Sequence, residues 1–88
     1  MKLDSDIVLD SMGEAGLDED AMYEDYSGRA MFGDTCFGIV CGLNEFIHFI
    51  TDYVSAGGDD SDLSWLRNVR CDSMGLSTIW YWPGVTVE

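Results

Sequence analysis

Apolar and polar positions alternate with different periods along this chain, and each period predicts an element. From Leu43 to Ala56 the apolar residues fall at 43, 46, 47, 50, 53 and 54, the spacing of one helical face. Asn44, Glu45, His48, Thr51, Asp52 and Ser55 take the other face. Gly57 and Gly58 follow, and glycine free to turn left-handed is a usual helix stop. Residues 35 to 41, TCFGIVC, are short, apolar and closely bounded by glycine, which predicts a buried strand. Residues 76 to 83, LSTIWYWP, predict a second strand, with Ile79, Tyr81 and Pro83 opposed to Thr78, Trp80 and Trp82. Pro83 and Gly84 then turn the chain into a last extended stretch, VTV.

The N-terminal pattern is weaker. Ser5 or Asp6 can cap a short helix through Met12 that ends at Gly13, and Asp18 can open another through Tyr23 or Tyr26. Ile7, Val8, Leu9, Leu17, Ala21 and Met22 suffice to dock these helices on a core. The stretch from Gly57 to Cys71 begins as a turn, with Ser61 or Asp62 capping one helical turn around Leu63 and Leu66. DSMG occurs at 10 to 13 and again at 72 to 75, but its flanks share no pattern, so it marks no repeat. The expected fold is a small α+β single domain, residues 1 to 88. About three antiparallel or mixed strands pack on a central helix, with an acidic helical segment at 1 to 25 outside a sheet-and-helix core at 26 to 88.

Composition makes this a folding chain rather than an acidic tail: it carries 4 Phe, 4 Tyr and 3 Trp, which a disordered segment lacks. Charge changes the functional picture more. Seventeen acidic residues against four basic ones leave a net charge of −13, and such self-repulsion costs the compact state. Naked nucleic acid and anionic membrane are disfavoured as partners, whereas a basic surface is favoured. No run approaches the roughly 18 apolar residues of a membrane span, and the start MKLDSDIVLD lacks the regions of a signal peptide. A cytoplasmic protein with reduced Cys36, Cys41 and Cys71 is the expectation.

Candidate chemistry is thin. The glycines of GRAMFG around Arg29 lack the lysine and hydroxyl of a phosphate-binding P-loop, and a strand follows them instead of preceding them. Arg29 reads better as a tether that pins its loop through five fixed donors. Cys36 and Cys41 are five apart and would point to opposite faces of a strand, which is not zinc-knuckle spacing, so no metal or other cofactor is assigned. His48, between Glu45 and Asp52 at helical spacing, reads as a surface ion pair. DDSD at 59 to 62 lacks the later glycine and glutamate of a calcium loop. No spacing joins a nucleophile to a base, so a non-enzymatic protein is expected.

Two blocks, DYSGRAMFGDTCFGIV and RCDSMGLSTIWYWPG, resemble a family of small bacteriophage-encoded proteins with SGRxMxG and DSMG segments. The likeness covers about half of the chain and implies an origin in phage, hence the cytoplasm of a host cell, but no mechanism. In size and charge alone, the chain is also similar to acidic anti-CRISPR and anti-restriction inhibitors that imitate DNA. Carboxylates spaced along the surface can reproduce a phosphate backbone and occupy a lysine-rich channel.

The leading expectation is therefore an inhibitor of a basic, nucleic-acid-handling host protein or complex, which binds no nucleic acid and no membrane itself. Asp18, Glu19, Asp20, Glu24, Asp25, Asp59, Asp60 and Asp62 are its candidate contacts, and Tyr23 or Tyr26 the aromatic anchor. An alternative is a sponge for a nucleotide signal built from Ser27, Gly28, Arg29, Arg70, Asp72 and Ser73; a third is a soluble accessory domain. A homodimer is compatible with all of them.

Overall fold

Why the chain turns where it does is set by a few local devices. The computed structural model describes residues 2–27, 36–57 and 67–87. Helix α1 (Ser5–Glu14) starts at Asp4, whose carboxylate accepts the N–H groups of Asp6 and Ile7 at 2.9 and 3.2 Å. The cap is thus one residue ahead of Ser5 and two ahead of Asp6, the expected caps, because a capping residue must still be extended, as Asp4 is (φ −74°, ψ 119°). The helix also passes Gly13. Its left-handed residue is Gly16 (φ 81°), after which Leu17 N–H closes onto the Met12 carbonyl.

Helix α2 (Leu43–Ser55) lies where the periodicity predicts and stops at Gly57 (φ 82°). Its inward stripe is narrower than the sequence suggests. Phe46, Phe49 and Tyr53 are buried, while Leu43 and Ile47 stand out in solvent.

Around these helices the strands β1 (Lys2–Leu3), β2 (Met22–Tyr26), β3 (Cys36–Val40), β4 (Arg70–Met74), β5 (Ser77–Trp82) and β6 (Thr86–Val87) form two sheets. The larger is antiparallel with order β2-β3-β5-β4, and β1 pairs with β6 in parallel. This is a small α+β domain with a four-stranded sheet packed on helices.

One expectation is corrected by pairing. The second N-terminal helix is only a 3-10 turn (Glu19–Ala21) followed by β2, since Met22 and the tyrosines find strand partners on β3. In the second DSMG, Asp72, Ser73 and Met74 end β4, and Gly75 opens the turn with Leu76.

The core lies between the sheet and the helices. Residues directly opposite on neighbouring strands share a face, so the pairs Phe37–Trp82 and Ile39–Trp80 look the same way, toward α1 and α2. Phe46 stacks on Trp80 at 4.3 Å, Phe37 on Trp82 at 5.2 Å, and Val8 and Met12 of α1 close the cluster. Each such large apolar side chain contributes about 1.5–3 kcal/mol on burial, which offsets the self-repulsion of the surface. Trp80 keeps its polar edge satisfied by donating Nε1–H to the Cys41 carbonyl at 2.9 Å. A turn with Pro83 second, Gly84 third (φ 80°) and Val85 N–H donating to Trp82 O then meets the demands of a type II turn.

Candidate interaction surface

Segment 4–25 carries nine carboxylates: Asp4, Asp6, Asp10, Glu14, Asp18, Glu19, Asp20, Glu24 and Asp25. All nine are exposed. None of them is ion-paired with Arg67, Arg70 or His48. On α1 the buried Val8, Ser11 and Met12 fix which side faces inward, leaving Asp6, Asp10 and Glu14 on the outer side at four-residue intervals. One turn separates each from the next, a rise of about 6 Å.

This arrangement works against the helix that bears it. Like charges four residues apart repel, and Glu14 lies in the last turn, where the helix dipole favours cations and no basic residue stands.

Beyond α1, Asp18, Glu19 and Asp20 lead through the 3-10 turn into β2, and Asp18 makes no side-chain capping bond. β2 is an edge strand with an irregular register between Tyr23 and Tyr26, at the exposed Glu24 and Asp25. That irregularity brings Tyr23 and Tyr26, three residues apart, to the same face. Tyr23 pairs with Gly38, and Tyr26 with Cys36. This is the face turned away from the helices, and Tyr81 of β5 joins it opposite Gly38.

The rings meet there. Tyr26 lies 5.0 Å from Tyr81 and 6.4 Å from Tyr23, the latter edge-on. Gly38 lies between the two tyrosine-bearing strands and has no side chain to interpose; a Cβ there would come within 3.1 Å of Ile79 Cδ1. The Cys36 thiol donates to the Tyr26 carbonyl at 3.4 Å and fastens the end of β2.

Of the two tyrosines expected as an anchor, Tyr23 is the accessible one, at 39% exposure, and Tyr26 is half-buried between its neighbours. No local signal points to Tyr81, because strand order alone makes it a neighbour of β2 residues. Asp59, Asp60 and Asp62 lie outside the described residues, as do Gly28 and Arg29.

The alternative ligand set is split. Arg70 and Asp72 lie opposite Tyr81 and Ile79 on the tyrosine face, but Ser73 pairs with Thr78 and belongs to the other face. Ser27 follows β2 and is exposed.

The thiols take separate environments. Cys36 lies on the tyrosine face, Cys41 joins the helix-side cluster, and Cys71 is exposed on β4. Burial, and then the nearby Glu45 carboxylate, push the Cys41 thiol up to about 11, and burial raises Cys36 as well. His48 Nε2 lies 3.0 Å from Asp52 Oδ2, as the helical spacing predicted. Among the described residues no three His, Cys, Asp or Glu side chains are grouped to hold a metal ion, and no helix is long and apolar enough to cross a membrane. Comparison with protein families, curated proteins and solved structures finds no match.

Proposed function

We propose that the protein is a phage-encoded, non-enzymatic inhibitor that binds a basic nucleic-acid-handling host protein through the carboxylates of segment 4–25, standing in for DNA. The observation that carries this reading is the ladder Asp6, Asp10, Glu14 on α1, continued by the exposed acids of the 3-10 turn and β2. A helix shaped for stability alone would alternate charge sign and place cations in its last turn. This one accepts repulsion at every step, which suits a surface made to meet cations. Tyr23, beside the acids of β2, supplies an aromatic contact of the type that anchors interfaces.

Charge holds such a complex, so it is salt-sensitive. Affinity for a basic DNA-binding protein captured from bacterial lysate should fall at least about tenfold between about 50 and 200 mM salt. Duplex DNA should displace the inhibitor, and neutralising Asp18, Asp20, Glu24 and Asp25 together should abolish binding. Capture that withstands salt and is indifferent to DNA would refute the proposal.

A second reading has one observation in its favour. Tyr26 and Tyr81 bring two rings, inclined at 52°, to the face where Arg70 stands opposite Tyr81, a pairing of aromatic and cation that suits a planar anionic ligand such as a cyclic nucleotide. Calorimetry with cyclic nucleotides, repeated on Arg70→Gln, decides it. Heat lost in the variant supports a nucleotide sponge, and no heat in the parent excludes one.

A further inference from the structure

Helix α2 carries two apolar rows. One, Phe46, Phe49 and Tyr53, is buried in the core shared with the sheet and α1. The other runs Leu43, Ile47, Ile50 and Val54, at intervals of four, three and four residues. It lies about a quarter-turn round the helix from the first.

The second row is open. Leu43 is 57% and Ile47 53% exposed, and Ile50 and Val54 are half-buried, so the described residues do not close over it. Single exposed apolar residues are ordinary on a protein surface. Alternating intervals of four and three, however, keep side chains in one line along a helix, which is the pattern by which one helix pairs with another.

The charges of α2 are kept away from this row. Glu45 and Asp52 project from the opposite side of the helix, and Asp52 meets His48 at 3.0 Å. The row is bordered on its outward side by Asn44 and Thr51, both uncharged, and the Thr51 hydroxyl already donates to the Ile47 carbonyl at 2.9 Å. A basic partner finds no counter-charge there. In a chain of net charge −13, a helix flank without carboxylates is where a body of like charge can approach.

We infer that α2 pairs along this row with α2 of a second copy of the chain, each helix laying Leu43, Ile47, Ile50 and Val54 against the same four residues of the other. A two-fold dimer needs one patch that matches itself, and an identical helix supplies the same intervals and the same lack of charge. The acidic segment 4–25 belongs to other elements and takes no part, so the pairing does not rest on those carboxylates docking a partner.

Four side chains from each copy make a small interface, so the dimer is weak and depends on concentration. Sedimentation equilibrium up to about 1 mM protein, at about 0.15 M salt, should show monomer and dimer together. Because salt screens the repulsion between two like-charged copies, association should strengthen several-fold between about 0.05 and 0.5 M salt. That is the reverse of binding to a basic partner, so the two contacts are told apart by sign.

Ile47→Asp sets a carboxylate against the row of the second copy and should weaken association about tenfold or more, whereas Ile47→Leu should keep it. Ile47 stands in solvent in the single chain, so a thermal melt of Ile47→Asp should match the parent. Leu43→Gln, one turn earlier, should weaken association in the same direction. Amide shifts followed by NMR on dilution are the second readout, and they should move along Leu43–Ser55 and leave segment 4–25 in place. Monomer at every concentration, association that salt weakens or that Ile47→Asp leaves unchanged, or dilution shifts confined to other elements would each overturn the inference.

Discussion

Tyr26 and Tyr81 come from strands that are not neighbours, yet their rings meet at 5.0 Å across β3. The contact binds the acidic edge strand to the middle of the sheet. Single replacements of either tyrosine by alanine should each destabilise the fold. A double-mutant cycle should give a coupling of about 0.5–1.5 kcal/mol, read from urea midpoints. Tyr23→Ala, by contrast, should leave stability nearly unchanged and weaken partner binding. Equal effects at Tyr23 and Tyr26 would contradict the division between anchor and support.

Two glycines should respond in opposite directions to alanine. A Cβ at Gly13, on the exposed side of α1, meets nothing within 4 Å. Gly13→Ala should therefore stabilise by about 0.5–1 kcal/mol, through reduced freedom of the unfolded chain. At Gly38 the new carbon would press on Ile79 Cδ1 at 3.1 Å and on the Trp80 carbonyl at 3.3 Å. Ile79 is fully buried and cannot give way freely, so Gly38→Ala should cost about 1–3 kcal/mol. Thermal melts of the two variants check both signs.

Glu14→Gln tests what the row Asp6, Asp10, Glu14 costs α1. Removing this charge relieves the repulsion from Asp10 and the clash with the helix dipole, so melting temperature should rise, by an amount matching a few tenths of a kcal/mol. The same variant should bind a basic partner more weakly. A variant that gains nothing in stability would mean that the carboxylates carry no strain.

Cys41 makes a prediction in alkali. Its folded value of about 11 lies above the ordinary 9.0, so from about pH 9 upward the unfolded chain loses this proton first. Its contribution is complete below pH 9 and is lost as pH rises through about 11. Cys41→Val should flatten that part of the stability–pH curve relative to the parent protein. At pH 8, iodoacetamide should modify the exposed Cys71 first and the buried Cys36 and Cys41 slowly, which peptide mass spectrometry resolves.

Where a local pattern decides an element, the sequence was sufficient. The helix Leu43–Ser55 follows from apolar periodicity and its glycine stop, and the strands Cys36–Val40 and Ser77–Trp82 from dense β-formers between turn residues. The size of the acidic surplus was equally legible, because charge is counted rather than folded.

Partnership was not legible. Met22–Tyr26 has acids and alanine before it that read as helix, and only β3 offers the hydrogen bonds that make it a strand. RCDSM has little apolar content, and its strand form depends on pairing with β5. Leu43 and Ile47 match the helical period but lie outside the arc that the sheet covers.

The sequence by itself therefore determined the composition of the surface and the elements that rest on contacts a few residues long. Tertiary structure alone decided which strands pair, which face each side chain takes, and that Tyr81 meets Tyr26. The reason is that strand hydrogen bonds and cross-strand contacts join residues distant in the chain, whereas helical bonds and turns join near neighbours.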